Sequence, residues 1–167
     1  QVADGAPLAL LTMGGVAQAG LPAAAARHAA GMTVVIPNNV AAVQRQENVI
    51  LLPWHSAYFH PDLVCAADVV IGKLGYSTVA EVYASGGAMG WLPRPHFRES
   101  AAMAAFVRAN ISQVDLYEEA LADGSWTEAV QPLLAAPRQP RTAPGGAACA
   151  AALIGDFLAG AAAPVQI

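Results

Sequence analysis

Residues 67–81 read ADVVIGKLGYSTVAE, and this stretch decides the fold that the sequence predicts. The apolar run at 68–71 predicts a buried strand, a glycine-bearing loop follows it, and residues 77–85 predict a helix. A helix N-terminus offers free backbone N–H groups and a partial positive charge to an anion. Glu81, one turn into the helix, adds a carboxylate that can accept hydrogen bonds from vicinal hydroxyls.

The same alternation of strand and helix extends over the whole chain. Strands are predicted at 8–13, 32–36, 48–52, 68–71, 88–92 and 111–114, and helices at 22–30, 40–46, 61–67, 77–85, 99–110, 126–136 and 147–158. Continuous apolar strands separated by helices predict an α/β fold: a Rossmann-like parallel sheet of about six strands with helices on both faces. No repeat or linker divides the chain, so we expect a single domain over 1–167 with an ordered core at about 8–160.

The composition excludes several classes of protein. Hydrophobic residues make up 56% of the chain and charged residues 12%, which excludes disorder. The net charge is −4 and no basic run occurs, so nucleic acid is not an expected partner. Cys65 and Cys149 fall in apolar helical patterns and are expected to be buried, reduced thiols in a cytoplasmic protein. Asp156 argues against a membrane span at 145–165, so membrane association is at most peripheral.

Polar and glycine residues follow three of the predicted strands. In parallel sheets, ligands bind beyond the carboxyl ends of the strands, where the strand order reverses. Gly14 and Gly15 follow the first strand and form either a phosphate-approaching turn or an ordinary one. The loop after the fourth strand can hold a diphosphate through Lys73, Gly75, Ser77 and Thr78. It is not a Walker A loop, because its lysine does not directly precede Ser or Thr.

Two further features leave alternatives open. Thr78 and Glu81 also fit a capping box, in which Glu81 would bind the backbone of its own helix instead of a ligand. After the fifth strand, Arg94 or Arg98 can meet a phosphate and Glu99 a sugar. Alternatively, the arginines are solvated loop charges and Glu99 is a favourable first-turn acid.

The four histidines show no metal-ligand spacing, so no metal is expected. His55 and His60 lie in the loop after the third strand, where either can face the crevice. His96 lies beside Arg94, and His28 is expected on a helix surface. No G-x-S-x-G nucleophile elbow occurs, which disfavours a serine hydrolase.

Residues 67–81 resemble the donor-binding motif of GT-B glycosyltransferases. The pattern A-D-x-x-[IV]-x-[RK]-x-G-x-[ST]-T-x-x-E of the undecaprenyl-diphospho-muramoylpentapeptide N-acetylglucosaminyltransferase group fits at every fixed position. Residues 11–15, LTMGG, resemble that group's first strand and glycine loop. Glycosyltransferase-like domains found alone or fused to sugar kinases such as L-arabinokinase are still more similar, with counterparts of residues 54–55 and 73–76 and of Arg94, Phe97 and Glu99. The resemblance covers about 8–160 and is specific at 62–99.

This resemblance implies one half of a GT-B fold, a C-terminal half that binds a nucleotide-sugar, usually a UDP-sugar, without a metal or other cofactor. Glu81 would take the ribose hydroxyls and Glu99 would lie near the donor sugar. The diphosphate would be held by Gly14, Gly15, Gly75, Tyr76, Ser77 and Thr78. The chain departs from the muramoyl group at 97–100, where Phe-Arg-Glu-Ser replaces a His-Gln pair and an Asn. The donor sugar is therefore left open.

A whole GT-B enzyme also has an N-terminal acceptor domain, which usually supplies the catalytic base. The sequence is therefore expected to be one half of a hexosyltransferase, inactive alone, with no catalytic residue assigned and the acceptor unknown. The alternative is a non-catalytic nucleotide- or sugar-sensing module linked to a sugar kinase. A sugar-nucleotide epimerase, with Glu99 and His96 beside the sugar, is a third alternative.

Overall fold

The structure is a computed structural model that describes residues 5–13, 26, 29, 31–55, 57–138 and 145–160. Its strands are β1 (Leu8–Thr12), β2 (Thr33–Val40), β3 (Gln44–Gln46), β4 (Val49–Pro53), β5 (Val69–Lys73), β6 (Ala88–Leu92) and β7 (Ser112–Asp115). Its helices are α1 (His60–Ala66), α2 (Tyr76–Ser85), α3 (Ser100–Asn110), α4 (Glu118–Asp123), α5 (Trp126–Leu134) and α6 (Gly146–Leu158).

The strands form one sheet in the order β3-β4-β2-β1-β5-β6-β7. Every neighbouring pair is parallel except β3 with β4. From β1 the chain proceeds outward to β2 and β4, and from β5 it proceeds outward to β6 and β7 in the opposite direction. The strand order therefore reverses between β1 and β5, and we call the carboxyl ends of these two strands the switch point.

Two apolar layers cover the two faces of the sheet. Because side chains alternate along a strand, Leu10 and Val70 lie in one layer while Leu11 and Ile71 lie in the other. The first layer includes residues of α1, α2 and α3, namely Val64, Val79, Val82, Met103 and Val107. The second includes Trp126 and Val130 of α5. The predicted α/β sheet with helices on both faces is confirmed.

The predicted helix at 40–46 is wrong. Val40 ends β2, and Gln44–Gln46 form β3, which pairs antiparallel with β4 through Arg45 and Ile50. Glu47, with φ of 55°, makes the tight turn between these two strands. Edge pairing to an apolar strand overrides the local helix propensity of this alanine- and glutamine-containing stretch. Within the described residues the sheet therefore has seven strands instead of about six.

The predicted helix at 22–30 lies mostly outside the described residues. Ala26 is helical, and the side-chain amide of Asn48 donates to the carbonyl oxygens of Ala26, Ala29 and Met32 at 3.3, 3.0 and 3.2 Å. The carbonyl oxygens of Ala26 and Ala29 also accept from the backbone N–H groups of Ala29 and Met32, so Asn48 adds a second donor to each. Asn48 thereby ties this segment to the start of β4.

Helix α4 was not predicted from the sequence. It ends at Gly124, and the backbone N–H of Ser125 donates to Asp123 Oδ1 at 2.8 Å. This bond from Ser125 holds the pKa of the Asp123 carboxyl below its usual range. The turn brings α5 back against the sheet, where Trp126 is buried.

Helix α6 has no buried residue, and its large apolar side chains Leu153, Ile154, Phe157 and Leu158 are exposed. Within the described part of the chain, no helix is both long enough and apolar enough to cross a membrane. Cys149 on α6 and Cys65 on α1 are both exposed, so the expectation of buried thiols is wrong. Their helices do carry apolar patterns, but both cysteines lie on outward faces.

Candidate functional site

The backbones of β1 and β5 approach closely at the switch point. Thr12, the last residue of β1, pairs with Gly72 of β5. A Cβ atom on Gly72 would lie 2.2 Å from the carbonyl oxygen of Thr12, far inside van der Waals contact. Only glycine fits this position, a role that the sequence analysis did not assign to Gly72.

Helix α2 begins directly beyond the switch point. Its N-cap is Gly75, with φ of −128° and ψ of 138°, and this residue has no side chain with which to cap the first N–H groups. The helix starts at Tyr76, so Thr78 is its third residue and not its N-cap. The partially positive end of α2 and its first amides therefore lie at the carboxyl edge of the sheet.

The capping-box interpretation of Thr78 and Glu81 is wrong. Glu81 Oε2 lies 2.7 Å from Nδ1 of His60, the first residue of α1. His60 Nε2 in turn lies 3.1 Å from the hydroxyl of Thr12. The side chains of His60 and Glu81 are 30% and 22% exposed, so the pair is shielded but accessible.

The chemistry of the groups fixes the direction of these bonds. A carboxylate only accepts, so Nδ1 of His60 carries the proton that is donated to Glu81. In the neutral ring Nε2 is then an acceptor, and the hydroxyl of Thr12 donates to it. Thr12, His60 and Glu81 thus form a directed chain from β1 through α1 to α2, which we call the relay.

Arg94 joins the loop after β6 to the loop after β5. Its Nη1 donates to the carbonyl oxygen of Leu74 at 3.3 Å, and its guanidinium carbon lies 3.3 Å from the centre of the Phe97 ring. Arg94 is half-buried, whereas Arg98 is exposed. Arg94 is therefore held in place and is not a freely solvated loop charge.

We expect Arg94→Lys to loosen the loop after β5. Lysine keeps the charge but lacks the planar fork that both binds Leu74 and stacks on Phe97. Loss of about 1 kcal/mol should accelerate hydrogen exchange at the Leu74 amide about fivefold. Arg98→Lys is the matched control and should leave that exchange rate unchanged. Equal rates in wild type and Arg94→Lys would contradict this role.

The other predicted residues take different positions. Lys73 ends β5, and strand alternation places it on the face of Ile71, opposite to the face of the relay. Glu99 is the N-cap of α3 and is half-buried. Tyr76 and Ser77 are exposed, whereas Thr78 is buried. Gly14 and Gly15 lie outside the described residues.

A cavity of about 600 Å³ is lined by residues of α2, α3 and the start of α6. Of the predicted site residues that the structure describes, only Tyr76 lines this cavity. The described loops after β5 and β6 lie instead at the open carboxyl edge of the sheet. In the described ranges, no three His, Cys, Asp or Glu side chains are grouped so that they could hold a metal ion.

The sequence analysis placed His60 in a loop, as one of two histidines that can face the crevice, whereas the structure makes it the first residue of α1. The sequence analysis assigned Thr12 no role. Their sequence signal is weak: each is one polar residue at the end of an apolar strand or the start of a short helix. They meet Glu81 because β1 lies next to β5, which places α1 and α2 side by side on one face of the sheet.

Comparison with protein-family models and with curated proteins finds no match. Solved structures do match. The glycosyltransferase SnogD from Streptomyces nogalater aligns with a TM-score of 0.50 and 16% identity, over 92% of this chain and 44% of that one. The spinosyn forosaminyltransferase SpnP aligns with a TM-score of 0.53 and 18% identity, over 78% and 36%. The glycotransferase of kitacinnamycin aligns with a TM-score of 0.50 and 19% identity, over 77% and 39%.

The chain thus spans less than half the length of each of these structures, 44%, 36% and 39%. At identities this low, the matches show that the fold is shared. The chain has an α/β fold that it shares with one part of each of these glycosyltransferase structures.

Proposed function

We propose that this chain binds a nucleotide-sugar, with UDP as the nucleotide, as the donor half of a GT-B glycosyltransferase that transfers a hexosyl group. One observation carries the proposal: the N-terminus of α2, with its glycine cap and with Glu81 deeper in the same helix, lies at the switch point of the sheet. UDP is chosen because residues 67–81 fit the motif of a group that uses UDP-sugars.

The diphosphate would lie against the first turn of α2. The backbone amides of Tyr76, Ser77 and Thr78 occupy the helix positions that lack intrahelical partners, and the helix dipole favours an anion there. Apart from its chain neighbours, no described residue has an atom within 4 Å of a Cβ built on Gly75, so the described part of the chain leaves the approach to this turn open. Because the side chain of Thr78 is buried, its backbone amide is the group available to the ligand. Gly14 and Gly15 would approach the same phosphates from the end of β1.

The ribose would bind at Glu81. Glu81 lies five residues after Tyr76, about 7.5 Å along the helix axis, which suits a ligand whose phosphates and pentose are adjacent groups. The described residues bond to Glu81 through Oε2, and they form no hydrogen bond with Oε1. Oε1 can therefore accept from the ribose hydroxyls.

The donor sugar would extend toward the loop after β6. Arg94 holds this loop against Leu74, next to the diphosphate position, and Glu99 stands at the start of α3 beyond it. Lys73 would add a positive charge at the end of β5. The sugar itself stays open because residues 97–100 depart from the pattern of the muramoyl group.

Transfer would need the leaving diphosphate to be stabilised as negative charge develops on it. Preorganised amides and the dipole of α2 can supply this stabilisation without a metal ion. The acceptor and the base that activates it would come from a separate acceptor-binding half. We therefore propose that the chain binds donor but does not transfer sugar alone.

Calorimetric titration of the chain with UDP tests the proposal. We expect saturable binding at a single site, with the same affinity in EDTA and in millimolar Mg²⁺. Uridine, which lacks the diphosphate, should bind much more weakly, because it makes no contact with the start of α2. Absence of saturable UDP binding, or binding that requires the metal, would contradict the proposal.

A further inference from the structure

We propose that His60 is a positioning residue that makes the site selective for ribonucleotides over deoxyribonucleotides. The inference rests on the proposed function and goes one step further, to how Glu81 recognises the pentose. It is carried by the relay, in which His60 connects Thr12 to Glu81 at 3.1 and 2.7 Å.

Glu81 needs to be held because a glutamate side chain has three rotatable bonds. On a helix surface such a side chain samples several rotamers, and a hydrogen bond to a flexible acceptor loses the entropy of ordering it. The bond from His60 Nδ1 to Oε2 removes that freedom before a ligand arrives. It also leaves the second oxygen, Oε1, as the acceptor that faces the ligand.

His60 is itself fixed from the other side. The hydroxyl of Thr12 is bonded to Nε2, and Thr12 belongs to a central strand and is 3% exposed. Pro61 follows His60 in the first turn of α1 and restricts the backbone there. The orientation of the Glu81 side chain is thus fixed, through His60, by a central strand of the sheet, and not by its own helix alone.

This arrangement makes a specific prediction about ligands. A vicinal diol gives Glu81 two hydroxyl donors, whereas a 2′-deoxyribose gives one. A fixed carboxylate discriminates between the two sugars better than a mobile one, because only the fixed carboxylate has a defined geometry for both bonds. His60 should therefore affect the ratio of UDP to 2′-deoxy-UDP affinity, and should leave the contribution of the diphosphate unchanged.

The test compares dissociation constants for UDP, 2′-deoxy-UDP and pyrophosphate in wild type, His60→Ala, His60→Gln and Asp62→Asn. Wild type should prefer UDP over 2′-deoxy-UDP by about tenfold or more, the size expected for one hydrogen bond to a charged group. His60→Ala should reduce this preference to about threefold or less with pyrophosphate affinity unchanged. His60→Gln, whose amide can still donate to Glu81, should retain most of the preference. Asp62→Asn, an exposed change on the same helix, should behave as wild type.

The outcomes separate the two proposals. Wild-type chain that binds no UDP overturns both. Wild-type binding with a UDP preference that His60→Ala leaves unchanged overturns the role of His60 alone. A proportionate loss for UDP, 2′-deoxy-UDP and pyrophosphate would likewise show that His60 only supports the fold. If His60→Ala does not fold, Thr12→Val removes the hydroxyl that fixes the imidazole, and it should reduce the preference. An unchanged preference in that variant also overturns the role.

Discussion

Replacing Glu81 with alanine is expected to weaken UDP binding by about tenfold to a hundredfold. The change removes the carboxylate that would accept from the ribose, and hydrogen bonds to charged groups contribute about 1.5–3 kcal/mol each. It also deprives His60 of the acceptor at 2.7 Å from its Nδ1. Isothermal calorimetry with UDP measures the change directly.

The specificity of this effect can be checked with two further variants. Glu128→Ala removes an exposed glutamate from α5, on the other face of the sheet, and should leave UDP affinity unchanged. Glu81→Gln keeps an acceptor oxygen but not the charge, so its affinity should lie between those of wild type and Glu81→Ala. If Glu81→Ala binds UDP with the affinity of wild type, Glu81 does not bind the ribose.

Replacing Gly72 with alanine is expected to give the largest loss of stability among single-methyl additions at the site. The new Cβ would lie 2.2 Å from the carbonyl oxygen of Thr12, which is backbone and cannot rotate away. Separating β1 from β5 to relieve this contact would break the ladder at the centre of the sheet. We expect a loss of about 3 kcal/mol or more, at the upper end of what overpacking usually costs.

Thermal unfolding of Gly72→Ala measures this loss, with Gly75→Ala as the matched control. Gly75 has φ of −128°, a conformation open to any residue, and a Cβ there would meet no atom within 4 Å in the described residues other than its chain neighbours. We expect Tm to fall by roughly 6–12 °C in Gly72→Ala, the shift that about 3 kcal/mol produces in a chain of this size, and to change little in Gly75→Ala. Equal Tm values for the two variants would show that β1 and β5 can separate without penalty.

The two changes have separable consequences for the site. Glu81→Ala alters a side chain of intermediate exposure on α2 and should lower affinity with little change in unfolding temperature. Gly72→Ala changes the backbone contact between β1 and β5, so the stability of the fold and the affinity for UDP should fall together. Measuring both quantities in both variants therefore distinguishes a group that contacts the ligand from one that shapes the edge of the sheet.

The loops after β5 and β6 lie at an open edge of the sheet, where a second half would bind in the proposed function. The glycosyltransferases of similar fold are more than twice as long as this chain, which covers 44% of SnogD and 36% of SpnP. In the proposed function, a separate half would cover the sugar and the leaving group. The affinity of this half alone for UDP should then come mainly from the diphosphate and the ribose.

Local sequence was sufficient for most of the secondary structure. Residues 69–71 and 88–92 are continuous apolar runs, which are typical of parallel strands buried on both faces. Helices α2 and α3 have apolar residues at helical spacing, including Val79 and Val82 or Met103 and Val107. The failure at 40–46 has the opposite cause, because a polar edge strand carries little periodicity of its own and forms only through its pairing with β4.

The sequence by itself determined that strand, glycine loop, helix and carboxylate follow one another between Ala67 and Glu81, because bond geometry and periodicity act over a few residues. Only the tertiary structure decided the partner of Glu81. His60 is 21 residues from Glu81, and Thr12 is 48 residues before His60. His60 meets both of them because the sheet order places β1 beside β5. A hydrogen bond depends on distance in space, and separation along the chain does not reveal it.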